Sequence, residues 1–324
     1  MQEEKMTNKM TMKKIAELAG CSISQVSRAL NGNSMVAPEM RDRIQKIAAK
    51  YHFRINITSH HVRLCFLKTD FGYFSEHMLA GIEKACAKRG WILYTVNKMS
   101  SPKELGEQFF DGYFCLTTGK EFQEKWIKYQ KLPLVMLNSY GLYGGEVCSV
   151  EPDPYDGSLK VLRHLKSLGH RKIARINYCG DFMRGYDEFM CAAQKLKLSD
   201  VVEICDKSFS SERFLEDVKR LTASGVTALF IIHQHLAFKT VQLLKSQGYK
   251  IPEDLSVVTY MNEDISEFCD PPVTTLDFDY DEIGKKACEI MAMRLQSLPC
   301  PDKAIRLPCL PLIIRKSTGP VPKR

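Results

Sequence analysis

From residue 63 to residue 296 the chain alternates short apolar runs with amphipathic stretches, several of them stopped by a glycine, and little else fits that rhythm but alternating strands and helices. Strands are predicted at 63–70, 91–96, 113–117, 134–137, 172–178, 201–205, 228–232 and 255–260. Helices are predicted at 75–89, 121–130, 155–168, 184–196, 213–224, 236–247 and 281–296. In the helix at 75–89, Met78, Leu79, Ile82, Ala85 and Cys86 share one face. The run at 228–232 is apolar without alternation, which suits a parallel strand covered on both sides. A repeated strand–helix order implies doubly wound α/β units.

At 324 residues the chain is long enough for two or three such units. With 44% apolar and 26% charged residues, extended disorder is excluded. No apolar run approaches the roughly 20 residues that span a bilayer. The opening residues MQEEKMTNKM lack the apolar centre of a secretory signal, so a cytoplasmic protein with no membrane partner is expected. Twelve cysteines are scattered from Cys21 to Cys309 without a C-x-x-C pair, and read as small buried hydrophobes; no metal or other cofactor is expected.

Ahead of the alternation, residues 11–51 read as three short helices. Thr11 caps the first, along which Ile15, Leu18 and Ala19 follow at helical spacing, and Gly20 stops it. Ser22 opens the second with a capping box closed by Gln25. Val26, Ala29 and Leu30 then face inward and Ile23, Ser24, Gln25, Ser27 and Arg28 outward. Pro38 starts the third, with Met40, Ile44, Ile47, Ala48 and Tyr51 on one stripe. The pattern is a helix-turn-helix, whose second helix is shaped to lie in a DNA major groove. A three-helix bundle that binds no nucleic acid shares the spacing. Charge separates the two: residues 1–63 hold eleven Lys/Arg against five Asp/Glu, so most of the formal +8 sits in the first fifth of the chain.

Catalytic signals are missing. The sequence has no G-x-G-x-x-G, P-loop or G-x-S-x-G, and Asp153 with Asp156, or His60 with His61, read as a solvated loop and a basic linker. An enzyme is not expected.

Four ordered segments resemble the LacI/GalR family of bacterial transcription regulators: IAELAGCSISQVSRALNG, VLRHLKSLGHRKIARI, GYKIPEDLSVVTY followed by PPVTTLDFDYDEIGKKA, and the final strand LPLIIRKSTG. The resemblance implies an all-α helix-turn-helix headpiece followed by an α/β two-lobed periplasmic-binding-protein-like core of doubly wound parallel sheets. It implies a polar tail at 1–10, a DNA-binding domain at 11–56, a linker at 57–62, a core at 63–318 and a tail at 319–324. Lobe 1 would take about 63–166 and 279–308, lobe 2 about 167–278 and 309–318. The implied partners are a double-stranded DNA operator, a second copy of the chain in a homodimer, and a small-molecule effector.

Carried over position by position, the resemblance assigns DNA contacts to Thr11, Ser22, Ile23, Ser24, Gln25, Ser27, Arg28, Asn31 and Asn56. Ile23 suits a thymine methyl, Ser24 several bases, and Arg28 guanine O6/N7 or a phosphate. Thr11, Ser27 and Asn31 sit where phosphates pass, and Gln25 stands where the family has Thr. The family hinge is of the type P-N-x-x-A-x-x-L; here Ile55 replaces the Pro, Asn56 is kept, and the Ala and wedge Leu are missing. Minor-groove kinking is therefore not expected. In the effector cleft the family's Asn-Asp pair and later Asp fall on His233–Gln234 and Met261, and its R-x-x-G arginine on Phe182, with Arg184 displaced beside Gly185. Losing those carboxylates removes acceptors for sugar hydroxyls, so the effector is not a standard hexose. Arg184, His233, Gln234 and Asn262, with Tyr73 or Phe74 as a stacking face, suit a less hydroxylated or anionic molecule. The rival from another class is a small-molecule-binding protein whose headpiece is vestigial.

Overall fold

A computed structural model describes residues 11–30, 36–51, 53, 62–68, 72–97, 110–116, 132–139, 147–177, 185–205, 210–232, 234–260, 266–299 and 304–322. The chain divides into two compact units. The first comprises Met1–Phe71, Ser75–Glu151 and Asp281–Ile305; the second Gly72–Phe74, Pro152–Tyr280 and Arg306–Arg324.

The first unit begins with α1 (Met12–Ala19), α2 (Ile23–Leu30) and α3 (Pro38–Lys50). Each is too short to hold alone, and they bury a shared core of Ile15, Ala16, Ala19, Val26, Ala29, Val36, Ile44 and Ala48. Two positions depart from the predicted stripes: Leu18 is 43% exposed because Ala16, not Leu18, turns inward, and Tyr51 lies past the end of α3 and is 43% exposed.

The rest of this unit is β1 (Arg63–Lys68), α4 (Tyr73–Ala87, from its third residue on), β2 (Ile92–Asn97), β3 (Gly112–Leu116), β4 (Leu134–Leu137) and β5 (Cys148–Pro152). Its sheet runs β11-β5-β4-β3-β1-β2, with β11 (Ala304–Leu307) on the far edge. Pairings from β2 through β5 are all parallel.

In the second unit α5 (Pro154–Ser167), β6 (Lys172–Asn177), α6 (Tyr186–Lys195), β7 (Asp200–Cys205), α7 (Ser211–Ala223), β8 (Ala228–Ile231), α8 (Gln234–Ser246), β9 (Ser256–Tyr260) and β10 (Thr274–Leu276) follow in turn. The parallel sheet runs β10-β9-β8-β6-β7. One face, with Ala174, Ile176, Leu229 and Val257, packs on Phe214, Val218, Val241 and Leu244 of α7 and α8. The other, with Ile173, Ala228, Phe230 and Val258, packs on Leu162, Leu165, Phe189 and Ala192 of α5 and α6. Covering on both faces is why β8 is apolar without alternation. In both sheets the chain starts on an inner strand, steps outward once and then reverses, between β1 and β3 and between β6 and β8. The carboxyl ends at such reversals are where open α/β sheets leave a crevice.

Helix α9 (Tyr280–Leu295) packs with the first unit from Asp281 onward. A Cβ on its Gly284 would stand 2.1 Å from the carbonyl oxygen of Gly81 in α4, and the sulfurs of Cys86 and Cys288 lie 3.6 Å apart nearby.

Four expectations differ from the structure. Helix α5 groups with the second unit, so the chain passes over at Glu151/Pro152 rather than near 166, because Val161, Leu162 and Leu165 find their apolar partners there. The segment 310–319 forms no strand but a single antiparallel bridge, Thr275 to Ile313. Strands β5, β10 and β11 were not predicted; β10 has only three residues. Eight described cysteines stand outside any disulfide and six of these are buried, but Cys148 is disulfide-bonded. The helix predicted at 121–130 falls outside the described residues.

Candidate functional site

The turn between α1 and α2 is fixed by local chemistry. Thr11 caps α1, its hydroxyl oxygen accepting from the Lys14 amide at 3.3 Å. Gly20 adopts φ 68°, a left-handed conformation, and its N–H and that of Cys21 bond back to the carbonyls of the last turn. At Ser22 the box closes in both directions. The Gln25 amide donates to Ser22 Oγ at 3.2 Å, and the Ser22 amide donates to Gln25 Oε1 at 3.0 Å. The Ser22 hydroxyl also donates to Gln25 Oε1, at 3.1 Å.

Val26 and Ala29 lie in the core, so α2 has one side available. That side carries Ser22, Ile23, Ser24, Gln25 and Arg28, all exposed, with Ser27 half-buried at its margin. Ile23 is 47% exposed. Exposed Lys13 and Lys14 on α1 and Arg43, Lys46 and Lys50 on α3 add positive charge. Lys46 is paired with Asp42, and Lys50 Nζ lies 5.6 Å from the centre of the Tyr51 ring. Asn31 and Asn56 lie outside the described residues.

The residues expected at an effector cleft follow strands of the second unit. Arg184 comes after β6, His233 after β8 and Asn262 after β9, and all three lie outside the described residues. Gln234 is the first residue of α8. Tyr73 and Phe74, half-buried, are not an open stacking face. Their rings meet Tyr280 and Phe278 edge-on, with Tyr73–Tyr280 at 6.4 Å and Phe74–Phe278 at 5.9 Å, and Tyr73 Oη donates to Asp277 at 3.2 Å. Phe278 lies a further 5.4 Å from the Tyr260 ring at the end of β9.

Sequence reasoning missed the polar residues inside this unit. Arg175 on β6 and Glu203 on β7 face each other in register, both side chains only 4% exposed, and Arg175 Nη1 donates to Glu203 Oε1. The guanidinium also lies 5.8 Å from the Phe189 ring of α6, and Asn177 sits buried two residues further along β6. Gly185 before α6 has φ 73°, and a Cβ there would stand 3.3 Å from Arg175 Nη2. Burial pushes the Glu203 carboxyl up, and Arg175 pulls it back in part. The one available sign was an arginine within the otherwise apolar core of KIARIN. Among the described residues no group of three or more His, Cys, Asp or Glu comes together as a metal would need.

Residues 11–56 match the family model "Bacterial regulatory proteins, lacI family", and residues 162–318 match "Periplasmic binding protein-like domain". The HTH-type transcriptional repressor PurR of Haemophilus influenzae (strain PittEE) is 24% identical, over 95% of this chain and 98% of its own. A ribose operon repressor of Haemophilus influenzae (strain ATCC 51907 / DSM 11121 / KW20 / Rd) is 26% identical, over 89% of this chain and 92% of its own. In fold, a lac repressor dimer bound to operator and the anti-inducer ONPF superposes with a TM-score of 0.64 at 18% identity, over 96% of this chain and 99% of its own. A LacI family transcriptional regulator from Enterococcus faecium with bound ribose gives 0.63 at 25%, over 80% and 99%.

Proposed function

Since the chain belongs to the lacI family of bacterial regulatory proteins, we propose that it is a sequence-specific repressor that binds a pseudo-palindromic operator as a homodimer in the cytoplasm. One observation carries the reading: α2 is held by a closed capping box and turns Ile23, Ser24 and Arg28 outward, beside basic α1 and α3. Those side chains supply the apolar, mixed and donor contacts that a major groove reads. Two such helices related by a dimer axis would fit two half-sites one helical turn apart. Thr11, whose hydroxyl proton is not used by its cap, suits a phosphate oxygen.

The core acts through linkage. A ligand with different affinities for the operator-bound and free states shifts operator affinity by that difference. The ligand we propose is a small, sparsely hydroxylated or anionic molecule held by Arg184, His233, Gln234 and Asn262, not a standard hexose. No catalytic role is assigned to it.

Gel shifts with genomic fragments at two salt concentrations test the function. Retention of a discrete set of fragments at the higher salt is the expected result, and Arg28→Ala should release that set while the fold persists. Binding that fades alike for every fragment would mean charge without sequence reading and would overturn the proposal.

A further inference from the structure

The two lone pairs of Gln25 Oε1 are both in use. A backbone N–H can only donate, so the side-chain atom facing the Ser22 amide at 3.0 Å is the oxygen, and the Ser22 hydroxyl fills its second acceptor direction at 3.1 Å. The exposed end of Gln25 is thus its Nε2, with two N–H donors and no acceptor. A free glutamine would pair bidentately with adenine, donating to N7 and accepting from N6. Gln25 in its box has no acceptor left for the N6 amino group.

The same accounting extends along the exposed side of α2. Ile23 offers only carbon, Arg28 only donors, and the Ser22 proton is spent within the box. Ser24 keeps an uncommitted hydroxyl, and Ser22 Oγ, which accepts from the Gln25 amide at the start of the helix, keeps one acceptor direction. Resting on the operator reading above, we propose that α2 presents a surface dominated by donors and methyls and that Gln25 favours a base rich in acceptors, guanine O6/N7 or thymine O4, over adenine, whose N7 stands beside the N6 donor, and over cytosine. Recognition helices enter the groove by their N-terminal residues, which places the third residue of α2 over base edges rather than over the backbone. Gln25 is therefore both the lock on the helix end and a specificity-determining residue.

Glutamate closes the same box, so Gln25→Glu keeps the fold while turning the outward donor into an acceptor, the group that suits the cytosine N4 amino. Selection from randomised duplexes with the full-length wild type and the variant, alongside thermal melts by circular dichroism, gives the test. The expected result is a wild-type site with guanine or thymine at one position in each half, which shifts toward cytosine by about tenfold or more in the variant, with the melt unchanged. Uniform weakening of every site would place Gln25 on a phosphate and overturn the inference. So would adenine at the wild-type position, or a base preference that the variant leaves unmoved. If the wild type enriches no sequence at all, the operator reading itself fails and this inference with it.

Discussion

The ring of His170 donates from Nε2 to the backbone carbonyl of Gly319, 149 residues later in the chain, at 3.0 Å. Because a carbonyl can only accept, the neutral ring carries its proton on Nε2, and Nδ1 accepts from the Thr227 hydroxyl at 2.8 Å. Around it His164 bonds Thr318 Oγ1 at 3.0 Å, Thr318 meets Thr274, and the Gly319 amide donates to Ser256 Oγ at 3.2 Å. The last described residues are thus stapled to the second unit by hydrogen bonds rather than by a sheet ladder.

Burial holds His170 below the ordinary histidine range, with nearby His164 adding to the effect. The folded chain therefore binds this proton less readily than the unfolded one. The staple's contribution is complete above pH about 6.5 and drains as pH falls below that toward the depressed folded value. Replacing His170 by Gln should cost about 2 kcal/mol at pH 8. Urea midpoints should show that gap narrowing by pH 5.5. A gap independent of pH would mean that the ring stays uncharged throughout. Glu203, pushed the other way, contributes below the usual carboxylate range and loses it as pH rises through its folded value, so the comparison is of variant with wild type rather than of absolute curves.

The Arg175–Glu203 pair should respond asymmetrically. Glu203, already pushed up by burial, can shed its charge by taking a proton, a route a guanidinium lacks. Glu203→Leu should cost about 3–5 kcal/mol, since it leaves a charged guanidinium under α6. Arg175→Met should cost less, and its cost should shrink as pH falls. The double replacement should be milder than Glu203→Leu alone. A thermodynamic cycle from chemical denaturation decides it, and equal single-variant costs at all pH values would contradict the charge argument.

Gly284 should tolerate no side chain. Its Cβ would meet backbone atoms, Gly81 O at 2.1 Å and Ile82 N at 2.8 Å, which cannot rotate away as a side-chain tip would. Gly284→Ala must therefore separate α4 from α9, at a cost of about 3 kcal/mol. The loss should appear in the melting temperature of the first unit. A melt within a degree of wild type would mean that the helices are less closely seated than described.

Legibility in the sequence followed how local each signal is. The capping box at Ser22 and Gln25, the Gly20 stop and the buried strand β8 are written in neighbouring residues, and each appears in the structure where spacing placed it. The three-residue β10 and the edge strand β11 are defined by partners far away in sequence, and no period two residues long survives in so short a run. Placing α5 in the second unit depended on which apolar surface Leu162 and Leu165 would meet, which spacing along α5 does not encode. A stacking face at Tyr73 or Phe74 follows from residue type and the cleft that the resemblance implies. Their rings are occupied by Phe278 and Tyr280, more than 200 positions away.

Operator DNA should remain nearly straight at the centre of the site. A kink of the minor-groove type needs an apolar wedge between base steps. Between the headpiece and β1 this chain has Arg54, Ile55, Asn56 and Ile57, then Thr58 to His61, with no leucine. Unstacking a step costs a few kcal/mol; Ile57 reaches as far as leucine but branches at Cβ, which stiffens it and leaves a single methyl at its tip. Circular permutation of a selected site should show a bend angle well below that of a wedge-bearing regulator, and nuclease footprints should lack a hypersensitive central step. Replacing Ile57 by Leu should raise the bend if the forked leucine tip alone is lacking. A sharp central kink with the natural sequence would show that the linker finds another wedge.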